Sequence, residues 1–222
     1  MRWLMAYRSW CLFALLSLAI LIPPAGAVTY LSSLGVPNEG GYGIGTNWLA
    51  QSFQTGTNSG GYSLNSITLL MDGTIGSPTG FALRVYSNVC VVPGAPLEIL
   101  AGNSDPQVYD ALYSYTSSNL LLQPTTTYWL VASATTPSYV WSATHAQNYT
   151  SADGWHLDTV GNSRAVYDPV KQKWTAASVT TFGTTKFIVD ATPVPEPGSG
   201  ALAALGLSCL GWLGRRQRHR VR

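Results

Sequence analysis

Two histidines and two aspartates crowd residues 142–158, SATHAQNYTSADGWHLD. His145 or His156 could serve as a base, and Asp153 or Asp158 could orient it. Nucleophilic catalysis also needs a serine or cysteine within reach of that base. The strained G-x-S-x-G elbow that exposes such a serine occurs nowhere in the chain. The same four side chains could instead hold a metal. Two histidines can meet across a turn, and the aspartates with backbone carbonyls could hold calcium in a loop. No EF-hand series and no D-x-D-x-D run is present. Glycoside cleavage would want paired carboxylates, but the acids are scattered mostly at turns, where aspartate serves the backbone. The expectation is no catalytic residue, no metal and no cofactor. Two rival readings stay open: a secreted hydrolase, and a carbohydrate-binding module whose tryptophans stack on sugar rings. Trp48, Trp141, Trp155 and Trp174 are the stacking candidates, Trp141 and Trp155 foremost.

Strands must position these residues. Between residues 28 and 193 no stretch keeps a 3.6-residue apolar period for two turns. Turn residues punctuate it instead: Gly40-Gly41, Gly60-Gly61, Asp72-Gly73, Pro93-Gly94, Asp153-Gly154 and Gly161-Asn162. Short β-prone runs lie between them. FALRVYS (81–87) alternates Phe81, Leu83 and Val85 with Ala82, Arg84 and Tyr86. YSLNSITLLM (62–71) alternates too, with a break near Ser66. AQSFQTG, TTTYWLVASA, SYVWSAT and KFIVDAT follow the same logic, and the YWLVA segment supplies core bulk through Trp129 or its neighbours. Serial strands without helices between them predict an all-β, jelly-roll-like β-sandwich over residues 28–192. Residues 38–50, NEGGYGIGTNWLA, are glycine-rich but lack G-K-[ST], so they read as a flexible loop rather than a phosphate cradle.

Charge excludes one class of partner. Residues 28–192 carry five basic residues (Arg84, Arg164, Lys171, Lys173 and Lys186) against nine acids, a net of −4. Such a surface does not track a phosphate backbone, so no nucleic-acid partner is expected. Cys11 and Cys209 lie in the apolar ends, which leaves Cys90 without a partner for an intradomain disulfide. Flanked by valines, it reads as a buried, inert thiol.

The two ends explain where such a domain goes. Residues 1–27 hold Arg2 and Arg8, an apolar run over residues 10–22, Pro23-Pro24, and Ala25-Gly26-Ala27. That is the order of a secretory signal peptide, cut after Ala27 with Ala25 and Ala27 in A-x-A spacing. Pro195-Glu196-Pro197 interrupts the other end, in a linker over residues 193–197. Residues 198–214 are 17 residues without a formal charge. As a helix they would span roughly 26 Å, a short transmembrane segment with Trp212 at its interface. Arg215, Arg216, Arg218, Arg220 and Arg222 follow as a cytoplasmic basic tail over residues 215–222. Proline pushes the residue before it towards extended backbone, so the triplet is a short stiff element with one charge at the membrane surface.

Triplet, apolar segment and arginine cluster, in that order, resemble the PEP-CTERM sorting signal of Gram-negative bacteria. The resemblance implies recognition by exosortase, a membrane-embedded cysteine transpeptidase-like enzyme, with processing near the triplet. It also implies hosts that make extracellular polysaccharide or biofilm. AQSFQTG, YSLNSITLLM, GFALRVYS and TTYWLVAS, in that order, are similar to choice-of-anchor domains that precede such tails. The expected protein is a secreted, non-enzymatic surface or matrix component. Its partners are exosortase, the membrane before processing, and exopolysaccharide.

Overall fold

The computed structural model describes residues 26–136, 138–145, 148–157, 164–177 and 183–195. All regular structure among them is β. The strands are β1 (Val28–Ser32), β2 (Gly40–Ile44), β3 (Trp48–Gln54), β4 (Tyr62–Thr74), β5 (Ala82–Val89), β6 (Val92–Ile99), β7 (Tyr109–Thr116) and β8 (Leu121–Leu122). They continue with β9 (Thr127–Ser133), β10 (Tyr139–Thr144), β11 (Thr150–Ser151), β12 (Arg164–Asp168), β13 (Lys173–Ala177), β14 (Thr184–Thr185) and β15 (Phe187–Pro193). They form two antiparallel sheets. The first runs β11-β1-β15-β4-β10-β14, with β2 on β10 and with β7 and β8 on β4; the second runs β13-β12-β3-β9-β5-β6.

Strand alternation turns one face of each sheet towards a shared core. Leu49, Phe53, Leu83, Val85 and Leu130 of the second sheet pack with Leu64, Ile67, Leu69, Met71, Trp141, Phe187 and Val189 of the first. The expected all-β class holds, and the two sheets share one interior in the manner of a sandwich. The break in alternation near Ser66 has a local cause. Ser66 opposes Asp190 and Leu64 opposes Ala191, which leaves Asn65 as an extra residue in a β-bulge. The bulge shifts the register so that both Leu64 and Ile67 reach the core.

Three expectations change. The glycine-rich residues 38–50 are not a flexible loop: they hold β2 and the start of β3. A Cβ on Gly41 would come within 2.4 Å of Val140 Cγ1, so glycine lets β2 lie close on β10. Pro93-Gly94 is not a turn but part of β6, an edge strand, where a missing N–H costs no ladder bond. Cys90 is exposed rather than buried. It sits with Val91 at the tip of the β5–β6 hairpin, where both residues have positive φ, 54° and 92°. That turn faces solvent, and its flanking valines are exposed too.

The second sheet curls. Tyr86 on β5 and Trp174 on β13 stand four strands apart, about 19 Å in a flat sheet. Their ring centroids are 6.3 Å apart. The outer face is therefore concave, and β6 approaches β12 and β13 across it. Trp129 and Val131 point into this outer cluster, while their neighbours Tyr128 and Leu130 fill the main core.

Carboxylates tie the sheet edges together. Glu98 on β6 accepts bonds from Ser117 Oγ at 2.6 Å and from the Ser118 amide and hydroxyl at 2.5 Å. Its partial burial works to raise its pKa, and these three donors outweigh that and hold it below the usual range. Asp105 is lowered by the Tyr139 hydroxyl and then by Gln107, and Asp168 by the Lys171 amide and ammonium. Depressed carboxylates stabilise the fold above their unfolded pKa, and that contribution is lost as pH falls through the folded value. The melting temperature of the mature protein should therefore be flat from about pH 5 to 8 and fall below about pH 4. Glu98→Gln should flatten part of that fall. A melting temperature that rises on acidification in calorimetric scans would contradict the assignment.

Candidate functional site

The C-terminal strand leads out of the domain at one defined point. β15 lies between β1 and β4, paired with β1 from Ile188 to Ala191 and with β4 from Phe187 to Pro193. Val28 opposes Ala191, so the chain enters β1 and leaves β15 at the same end of the sheet. Pro193 is still paired, opposite Tyr62. Val194 is held by the turn at residues 58–61: its amide donates to Gly61 O at 3.0 Å, and Asn58 Nδ2 donates to its carbonyl at 3.0 Å. The expected linker over residues 193–197 thus loses its first two residues to the fold, because strand pairing and this turn claim them.

Two glycines make the turn possible. A Cβ on Gly60 would stand 2.3 Å from Val194 O. Gly61 has φ +77°, and a Cβ there would meet Leu122 O at 2.5 Å. The Gly60-Gly61 pair that reads as plain turn chemistry in the sequence is thus a cradle for the departing chain. Pro195 is exposed just beyond it. Glu196, Pro197, residues 198–214 and the five tail arginines lie outside the described residues, as does Ala25. Ala27 is exposed immediately before β1.

The comparisons bear on this end of the chain. The PEP-CTERM protein-sorting motif matches residues 193–217. Comparison with curated proteins and with solved structures finds no match. A PEP-CTERM motif implies export, a membrane-anchored precursor and processing by exosortase. Its first residue is the last residue of β15, so domain and motif adjoin without a spacer. Among the described residues no helix is long and apolar enough to cross a membrane.

The residues singled out for chemistry are dispersed. His145 follows β10, where its amide donates to Glu39 Oε2 at 2.5 Å. They line a recess of about 160 Å³ with Tyr42, Thr144 and Gly183. His156 lies elsewhere, bridged through its backbone to Gln54 and with Nδ1 3.2 Å from Gly154 O. Asp153 is exposed, and Asp158 lies outside the described residues. Among the described residues no three of His, Cys, Asp and Glu converge on a metal position.

Trp141 and Trp155 are not surface stacking residues, because both are buried, at 0% and 1% exposure. Trp141 lies in the core with its Nε1 donating to Lys186 O at 3.0 Å. Trp155 is the hub of an aromatic cluster, parallel to Phe53 at 5.8 Å, stacked on Tyr30 at 5.1 Å and edge-on to Tyr62 at 4.9 Å. Half-buried aromatic rings lie instead on the concave outer face: Trp48 stacked on Tyr167 at 4.8 Å, and Trp174 tilted against Tyr167 at 5.1 Å. Arg84 lies over Trp48 at 5.8 Å and donates to Ser133 Oγ. Trp48, Tyr167 and Trp174 form a half-buried row, with Trp174 on β13 at the edge of the sheet. The tryptophan count signals such a face, but strand phase decides which ones line it.

Trp141→Ala and Trp155→Ala should each cost about 3–5 kcal/mol of stability, as core truncations of that size do. Chemical denaturation measures this directly. A loss under about 1 kcal/mol for both would show that they are not core residues.

Proposed function

We propose that the chain is a secreted, non-enzymatic surface or extracellular-matrix protein, sorted by exosortase and associated with exopolysaccharide. The observation that carries this reading is the PEP-CTERM motif abutting β15. In this reading residues 1–27 are a signal peptide, the body is a jelly-roll-type sandwich, and residues 198–214 span the inner membrane. The five arginines hold the short span from the cytoplasmic side. Processing breaks one peptide C–N bond near the triplet. The enzyme's cysteine thiolate attacks the carbonyl carbon, the tail leaves as an amine carrying a proton, and the acyl group passes to water or an amine acceptor.

Glu196→Ala should leave the precursor exported but unprocessed, because the triplet keeps its stiffness and loses its one charge. Replacement of Arg215, Arg216, Arg218, Arg220 and Arg222 by glutamine should fail differently, letting the weakly apolar segment slip through the membrane. Loss of exosortase should mimic the Glu196 change. Immunoblots of membrane, periplasm and medium separate these outcomes. Normal maturation in all three strains would show that the tail is an ordinary anchor.

Association with the host's polysaccharide is supported by the half-buried rings on the concave face, since aromatic faces suit the C–H faces of pyranoses. Titration of the mature protein with that polymer should shift tryptophan fluorescence. Trp174→Ala should weaken the response at least severalfold while the fold survives. Equal binding by the variant removes the face from consideration, and turnover of the polymer would move the protein to the enzymes.

A further inference from the structure

The residue before the sorting triplet is not free to be read. An enzyme that acts on an extended peptide engages its main-chain N–H and C=O groups on both sides of the reacting bond. Upstream of Pro195 those groups are already used. Thr192 and Pro193 are paired with Ser63 and Tyr62 inside the sheet, and Val194 gives its amide to Gly61 and its carbonyl to Asn58. Downstream, Pro195 and Pro197 have no N–H to offer. The closed domain therefore presents a recognition segment poor in main-chain donors, starting at Pro195.

The Val194 restraint is the outermost of these and opens first. Freeing Thr192 or Pro193 means unzipping the end of β15 from β4, since its pairing with β1 stops at Ala191. Freeing Val194 means opening only the turn at residues 58–61, which is fastened by the Gly61 amide on Asn58 O at 2.9 Å and by Asn58 itself. We propose that this turn is a clamp on Val194 that brakes processing of the sorting motif, a reading that rests on exosortase sorting. Opening it lends the enzyme the Val194 amide and carbonyl. Asn58 is thus a positioning residue: it acts on the reaction through the chain it holds.

Pulse-chase conversion of precursor to mature protein, in cells that carry exosortase, tests the brake on the full chain. Asn58→Ala removes the side-chain bonds to Val194 O and to Gly61 O and should speed conversion by about fivefold or more, the combined worth of two hydrogen bonds. A Gly-Ser-Gly-Ser insertion between Val194 and Pro195 leaves the clamp closed but supplies free main chain before the triplet, and should speed conversion as well. Hydrogen exchange on the purified protein should show a faster Val194 amide in Asn58→Ala with the remaining β15 amides unchanged, which general destabilisation would not produce. If Asn58→Ala unfolds the domain, the insertion decides alone. Unchanged or slower conversion with the insertion overturns the brake. A wild-type chain that exosortase leaves unprocessed overturns the sorting reading, and the brake with it.

Discussion

The pairing of β15 between β1 and β4 is the constraint on which the rest depends. The last strand of the chain enters the middle of its sheet, not its edge. Phe187, Val189 and Ala191 complete the main core from there, and the Ser33 hydroxyl bonds its backbone at the other end. Until β15 arrives, β1 and β4 present open edges and a core without its floor, a state prone to wrong pairing. Its contacts join residues at opposite ends of the sequence, so closure is slow on topological grounds. A sorting signal placed immediately after such a strand is tied to the completion of the fold. Val194 can dock on Gly61 only when Pro193 already lies opposite Tyr62.

Aromatic residues carry the second half of the architecture, and strand phase divides their work. Trp155 joins β1, β3 and β4 through Tyr30, Phe53 and Tyr62, so its bulk holds the two sheets together. Trp129 lies on β9 between two core residues yet faces the opposite way, with Nε1 bonded to Asn88. Small residues make the curl possible. Ala50, Ala165 and Val131 floor the concave face, and the larger rings from the rows around them lean over that floor. A flat sheet with these residues would leave a broad apolar surface; curling covers most of it and leaves Trp174 and Tyr167 half open.

The legible parts of the sequence were those governed by local period or fixed order. Phe81, Leu83 and Val85 alternate cleanly and lie in the core, and the stumble at Ser66 marks a real bulge beside it. The sorting motif needs no fold to be read, because its three parts follow one another along the chain. What escaped depends on distant partners. Gly41 looks like a loop residue until Val140 is seen against it, and Pro93 looks like a turn residue until β6 proves to be an edge. Trp141 and Trp155 could not be told from surface rings by composition, since their burial is set by which face of a strand they occupy. The Gly60–Val194 contact lies furthest from local reading, as the two residues are joined only through closure of the whole sheet.

Charge placement limits what the exported domain can hold. Two of its five cations are inside: Arg164 lies 4.1 Å over the Tyr42 ring, and Lys186 donates to Val36 O. Lys171 is paired with Asp168 at 3.1 Å on the surface. Of the eight acids among the described residues four are exposed, four half-buried and none buried, so the outer surface is more acidic than the net of −4 over residues 28–192 suggests. An acidic domain meets an anionic polymer with net repulsion, weakest at high salt. The concave face departs from that rule, because its rings are uncharged and Arg84 is the charged group among them. If the proposed association runs through that face, its chemistry suits a neutral polysaccharide, or an anionic one that brings a single acid group to Arg84.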